Sequence, residues 1–237
     1  MLSFKKGIQD GIPIGLGYLS ISFAFGILAA KDGVSALLVT LMSATNLTSA
    51  GQLAGLTIIA NCGTLAEIIV SMIIINARYF VMSLTITQKL DKSVTFGQKF
   101  LIAFGITDEI FAVSSLKYAQ LTFRYMLGIM ILPIVCWTGG TLLGATTGNL
   151  MPLMIQNPLN ILLYGMLVAV IVPTANRSRF VAIAVFASIV MSSIIYYCFK
   201  FISSGWAVMI CAISVSAFMA WKFPVEDQKE KEKQNDI

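Results

Sequence analysis

From Ile12 to Ala30 the chain carries no charged side chain, and stretches of the same kind return along most of its 237 residues. A spanning helix needs about 20 mainly apolar residues. Backbone polar groups inside lipid must be satisfied within the segment, which selects helices. The pattern predicts helical segments over about 12–30, 35–60, 64–88, 98–118, 124–147, 158–173, 178–199 and 203–222. Only 11% of the residues are charged and 57% are hydrophobic, against roughly a quarter charged in a soluble domain. The expected fold is therefore all-α: a polytopic transmembrane helical bundle of about six to eight membrane segments, forming one domain over 1–222. Lys5 and Lys6 before an apolar run resemble a signal peptide, but the further hydrophobic segments make that run a retained first helix. Beyond Lys222 the sequence FPVEDQKEKEKQNDI is too polar to bury a core, so 223–237 reads as a solvated, disordered cytoplasmic tail.

The net charge of +5 comes from basic residues scattered at segment ends. It forms no basic stripe interleaved with aromatics, so the partners implied are membrane lipids and no nucleic acid. Cys62, Cys136, Cys198 and Cys211 make no C-x-x-C pair, and the chain has no histidine. Neither a metal site, a disulfide nor a cofactor is indicated. Without histidine, Ser-His-Asp and Cys-His hydrolysis are also unavailable, which makes an enzyme the weaker class.

Two segments carry polar residues at their middle: TNLTSAGQ, Thr45 to Gln52, and TDE, Thr107 to Glu109. Irregular backbone at that depth must face protein or a water-filled cavity, and broken helices of this kind mark binding sites in transporters. Both segments are accordingly expected to be broken or re-entrant. Basic residues concentrate on the cytoplasmic side of membrane proteins. Eight full crossings would put the loop holding Lys89, Lys92 and Lys99 outside. Re-entry of 35–60 and 98–118 places Lys5, Lys6, Lys89, Lys92, Lys99, Lys117, Arg124, Arg177, Arg179 and Lys222 inside, with Lys31 and Lys200 outside. The second arrangement is preferred, with both termini cytoplasmic and the chain multi-pass in the cell membrane.

Glu67, Arg78, Asp108 and Glu109 are the ionisable residues expected deep inside apolar segments, where charge is costly and points to function. Glu67 has a simpler reading, because Thr64-Leu-Ala-Glu67 has the spacing of a capping box. Arg78, two residues after Asn76, needs an anionic partner, and Asp108 or Glu109 is the candidate. The choice between a structural ion pair and a role in substrate or proton handling stays open. An amino acid zwitterion needs partners for a carboxylate and an ammonium, which a helix N-terminus or Arg and carbonyls or a carboxylate supply. Asn46, Thr48, Ser49 and Gln52 are candidate lining residues, with Gly51 permitting a break; the alternative for them is hydrogen bonding between helices. The candidate substrate or coupling residues are therefore Asn46, Ser49, Gly51, Gln52, Asn76, Arg78, Thr107, Asp108 and Glu109, with no catalytic set. Gly140, Gly144 and Gly148 form a smooth ridge for close helix contact, within the bundle or against a partner subunit. Pro133 is expected to kink its segment, and Pro158 and Pro173 bracket another.

These pieces together resemble the AzlC family of azaleucine-resistance and branched-chain amino acid permeases, over nearly the whole length to about residue 222. They are GIPIGLGYLSISFAFG from Gly11, SATNLTSAGQ from Ser43, NARYFVMSL from Asn76, TDEIFAV from Thr107 and GGTLLGATTG from Gly139. Many members carry an AGASQ-like run at Thr48 to Gln52 and a histidine at the position of Tyr79, so Gln52 and Arg78 carry over while fine substrate preference does not. The resemblance implies export of leucine, isoleucine, valine and sometimes methionine, with a small hydrophobic AzlD-like membrane subunit as partner; proton coupling is expected separately and, without histidine, would use Asp108 or Glu109. A channel for small polar solutes and, further off, a membrane-embedded transferase are the alternatives.

Overall fold

A computed structural model describes residues 2–148, isolated positions between 154 and 176, and residues 178–199, 202 and 204–223. The expected segment over 158–173 falls largely outside these residues, as do Pro158, Pro173, Arg177, Lys200 and the tail after 223. Among the described residues the regular structure is helical: α1 Phe4–Lys31, α2 Ala36–Thr45, α3 Ser49–Ala60, α4 Leu65–Lys89, α5 Phe96–Phe104, α6 Asp108–Lys117, α7 Phe123–Thr147, α8 Arg179–Cys198 and α9 Ser204–Lys222. Four of these, α1, α4, α7 and α8, are long and apolar enough to cross a membrane.

The chain divides into two compact units. One comprises Met1–Leu56 and Ile75–Gly165, the other Thr57–Ile74 and Met166–Ile237. In the first unit, α1 and α7 form the central pair, and glycine makes their contact possible. A Cβ on Gly11 would come within 2.8 Å of the Ile129 carbonyl oxygen, and one on Gly140 within 2.7 Å of the Leu19 carbonyl oxygen. The positions advance together along both helices, from Gly7 beside Gly128 to Gly26 beside Gly144 and Ile27 beside Gly148, so α1 and α7 run parallel. The ridge of Gly140, Gly144 and Gly148 is thus internal, and its partner is α1. Close approach of backbones substitutes for the hydrophobic drive that lipid removes.

The first helix begins two turns earlier than expected. Ser3 caps it by accepting from the Lys6 amide at 3.2 Å, and Gly7 and Gly11 carry the contact with α7 into these polar turns. α7 continues through Pro133. Near the start of α7, Leu90 and Leu121 form a parallel bridge, with Asp91 N–H donating to Leu121 O at 2.9 Å and Leu121 N–H to Lys89 O at 2.8 Å. The Ser93 amide donates to Asp91 Oδ1 at 2.9 Å and holds that exposed carboxyl below its usual range. The residues before α5 and after α6 are therefore joined. An apolar core of Ile86, Leu90, Val94, Ile102, Ile106, Ile110, Leu121, Tyr125 and Met126 lies against them. In the second unit, α8 and α9 pack through Ile195, Cys211 and Val215.

Candidate functional site

Both polar clusters coincide with a break in the helix. Between α2 and α3, Asn46 leaves the helix with extended backbone, and its Oδ1 accepts from the Thr48 amide at 3.3 Å. Thr48 then caps α3 by accepting from the Gly51 amide at 2.9 Å. The break falls at Asn46–Thr48, so it does not use Gly51, which sits in the first turn of α3. Asn46 and Thr48 supply the local side-chain bonds that compete with helix, which glycine freedom was expected to provide. Ser49 opens α3 and is half-buried. Between α5 and α6, Gly105 ends the first helix and Thr107, buried and extended, caps the second through its contact with the Ile110 amide at 3.5 Å. Asp108 and Glu109 occupy the first turn of α6, where the helix dipole favours anions.

Gln52 is wholly buried and fully engaged. Its Nε2 donates to Ser43 Oγ at 2.9 Å and its Oε1 accepts from Trp137 Nε1 at 2.9 Å. Ser43 Oγ is 2.8 Å from Thr141 Oγ1, whose hydroxyl also reaches the Trp137 carbonyl at 3.0 Å. Gln52 thus pins α3 to α2 and α7, and the helix-to-helix reading holds for it. The Trp137 ring meets Tyr18 edge-on at 5.2 Å, and the Tyr18 hydroxyl donates to Glu109 Oε2. Ser43, Gln52, Trp137, Tyr18 and Glu109 form a chain of contacts that ties the two breaks together within the first unit.

On the other side of this chain, Arg78 Nη1 lies 2.7 Å from Asp108 Oδ2, with side chains 40% and 30% exposed. Tyr79 shares the guanidinium: its hydroxyl accepts from Nη2 at 3.3 Å, and the Arg78 carbon lies 4.9 Å from its ring centre. The adjacent acids therefore separate. Asp108 takes the arginine and Glu109 the tyrosine, as the roughly 100° between successive helical positions allows. Asn76 is half-buried on α4, and two residues along a helix turn its side chain about 200° from that of Arg78.

Glu67 behaves as a cap. Its Oε2 accepts from the Thr64 amide at 2.8 Å, and its own amide donates to Thr64 Oγ1 at 3.3 Å. One buried acid escaped the sequence reading. Asp10, with a side chain 7% exposed, pairs with Lys6 at 3.1 Å and accepts from the hydroxyls of Tyr118 at 2.8 Å and Tyr125 at 3.1 Å. Starting the first helix at Ile12 left Asp10 in a loop. Tyr18 and Trp137 also went unnoticed, because aromatics in apolar helices carry no signal until their polar atoms find partners. The grooves beside α8 and α9 in the second unit are lined by aliphatic, aromatic, serine and sulfur-containing side chains, with no Asp, Glu, Lys or Arg among the described lining residues.

The AzlC protein family profile matches residues 13–151, the stretch that holds both breaks, Arg78 and the two acids. An uncharacterized membrane protein of Archaeoglobus fulgidus is 35% identical over 146 residues, covering 62% of this chain and 63% of that protein. The inner membrane protein YgaZ of Escherichia coli is 26% identical over 151 residues, covering 62% of each chain. An uncharacterized membrane protein of Helicobacter pylori is 28% identical over 156 residues, or 63% of this chain and 68% of its own. The matched stretch thus spans less than two thirds of the first two relatives. No solved structure matches the chain. A profile match that covers more than half of the sequence and contains both broken helices establishes that the chain belongs to the AzlC family.

Proposed function

We propose that this chain is a secondary transporter that exports branched-chain amino acids across the cell membrane, together with a small AzlD-like subunit. The observation that carries this reading is the Arg78–Asp108 pair beside the Tyr18–Glu109 bond, both at the break between α5 and α6. An amino acid zwitterion presents one anionic and one cationic group. Arg78 and the N-terminal turn of α3 suit its carboxylate, and Asp108 suits its ammonium. Binding opens the Arg78–Asp108 pair and exchanges each partner for a substrate group, which limits the cost of desolvation. An aliphatic side chain fits the surrounding Leu47, Tyr79 and Phe111, which pack on the apolar core.

Re-entry of 35–60 and 98–118 belongs to this proposal. The bridge between Leu90 and Leu121 supports it, since it puts the two ends of the α5–α6 segment together. Leu56, one turn beyond Gln52, packs in a cluster with Val39 and Ala145, which supports α3 turning back beside α2. Parallel α1 and α7 require an odd number of crossings between them. A single crossing by α4 with two re-entrant segments meets this. The spans are then α1, α4, α7, the segment expected over 158–173, α8 and α9, which leaves both termini cytoplasmic.

Proton coupling is assigned to the carboxylates at the α6 N-terminus. Counterflow of labelled leucine in proteoliposomes, with and without the small subunit, tests the substrate and the partner. Saturable exchange supports a transporter, whereas unsaturable flux favours a channel. Arg78→Ala is expected to lose counterflow and uphill export together. Glu109→Gln still accepts from Tyr18 and is expected to keep counterflow while losing proton-driven export. Parental uphill export by both Asp108→Asn and Glu109→Gln, at matched abundance, would refute the carboxylate mechanism.

A further inference from the structure

The ten-residue helix α6 has non-helical backbone at both ends, Gly105–Thr107 before it and Tyr118–Thr122 after it. Each end is fastened to α1 by a bond between a tyrosine and a carboxylate. At its start, Tyr18 of α1 donates to Glu109. At its finish, Tyr118 donates to Asp10 of α1 at 2.8 Å. Asp10 and Tyr18 lie eight positions apart on α1, about 12 Å at the helical rise, close to the roughly 13–14 Å that the nine positions from Glu109 to Tyr118 would span. α6 therefore lies along α1 in the opposite direction, strapped at both ends.

The two straps differ in their surroundings. The Glu109 strap sits at the substrate site proposed above, so substrate or a proton acts on it directly. The Asp10 strap lies toward the N-terminal end of α1, the side that carries Lys5, Lys6, Lys89, Lys92 and Arg124. There Tyr125 of α7 joins it, its hydroxyl 3.1 Å from Asp10 Oδ2 and its ring edge-on to Tyr118 at 5.0 Å. Lys6 binds the other carboxylate oxygen, and Lys89 Nζ reaches the Ser115 carbonyl at 2.5 Å. Between the two straps, Ile14, Ile110, Ser114, Met126 and Ile129 are buried.

We propose that Asp10, Tyr118 and Tyr125 form the gate on the side of the N-terminus, and that α6 opens it by swinging off α1 when the Tyr118–Asp10 bond breaks. This inference rests on the transporter reading for its purpose but not for its test. Tyr118 and Asp10 are positioning residues. They touch no substrate and hold the element that does. The backbone at Gly105 and at Tyr118–Thr122 lets α6 move without unwinding, and loss of the Tyr118–Asp10 bond removes a charge-assisted contact from its C-terminal end and leaves that of Lys89 with the Ser115 carbonyl.

The test reads accessibility without transport. Ser114 of α6 is fully buried above the gate, and Ser114→Cys in a chain whose four cysteines are replaced by serine or alanine reports on opening. An impermeant thiol reagent is applied to inside-out and right-side-out vesicles. Tyr118→Phe removes one hydroxyl and keeps the ring on Tyr125. A lost hydrogen bond to a charged group corresponds to roughly tenfold or more in the open population. Labelling from the N-terminal side is expected to rise by about that factor, with unchanged labelling from the other side and a melting temperature only a few degrees lower, as loss of one such bond from the closed state requires. Asp10→Asn is expected to shift labelling in the same direction, and Tyr118→Phe with Tyr125→Phe decides the matter if Asp10→Asn fails to accumulate. Unchanged labelling in Tyr118→Phe, or acceleration from the opposite side as well, would overturn the gate. Absence of leucine counterflow in the parent would instead remove the transport reading and leave this measurement intact.

Discussion

Substituting Gly144 by alanine adds a single methyl group, and the packing of α7 on α1 determines its cost. The new Cβ would lie 2.8 Å from the Phe23 carbonyl carbon, 3.1 Å from its Cα, and closer still to its oxygen. Ordinary contact begins at 3.4 Å, so the helices must part by at least about 0.6 Å, and backbone atoms on both sides cannot yield as a side chain would. A gap of that size forfeits roughly a quarter or more of each van der Waals well it opens. It would run along the seam that Gly11, Gly26, Gly128 and Gly140 also share. Overpacking of this kind costs about 1–3 kcal/mol. For a chain of this length that is a fall of about 2–12 °C in melting temperature. Gly139 is the matched control. It is the nearby glycine of the same helix, nothing lies within 4 Å of its Cβ position, and alanine there gains about 0.5–1 kcal/mol of helix propensity. Thermal unfolding of the detergent-purified proteins is expected to rank Gly144→Ala well below the parent and Gly139→Ala at or above it. Equal melting of the two variants would mean that the ridge does not pack on α1, and the placement of the central pair would fail with it.

Gln52→Leu leaves the buried Trp137 indole N–H without its partner, a loss worth about 1–3 kcal/mol, while Ser43 keeps Thr141, so unfolding should shift downward at any pH; a parental melting curve would deny the network. Glu67→Gln is expected to retain both stability and export, because glutamine fills the same place in a capping box, whereas Glu67→Ala should lose about 1 kcal/mol of stability. Export lost in Glu67→Gln would return that residue to the transport machinery. Cysteines placed singly at Lys92 and Gln120 flank the Leu90–Leu121 bridge, and impermeant reagents are expected to label both in inside-out vesicles and neither in intact cells. Opposite labelling of the two would rule out re-entry of 98–118.

The sequence determined the chemistry and the class. Runs of apolar residues long enough to cross lipid admit little besides helices, because unpaired backbone groups are not tolerated there. Polar residues at the middle of such runs therefore announced two breaks, which occur at Asn46–Thr48 and Gly105–Thr107. The Thr64 to Glu67 spacing announced its cap for a similar reason, since both partners lie within one turn. Such local features depend on neighbours in the chain.

Partners distant in sequence were decided by the tertiary structure alone. Glycine spacing marked a ridge at Gly140, Gly144 and Gly148 but could not name α1 as its counterpart. Contact between two helices depends on the register of both, and only one register lets backbones meet. The choice between Asp108 and Glu109 as partner of Arg78 turned on which way α6 faces around its axis, and Tyr18 on α1 fixes that by holding Glu109. Asp10 shows the same limit from the other side. Among polar neighbours in a first turn it looks like a solvated residue, and it becomes a buried carboxylate only because Tyr118 and Tyr125, more than a hundred positions away, are folded onto it.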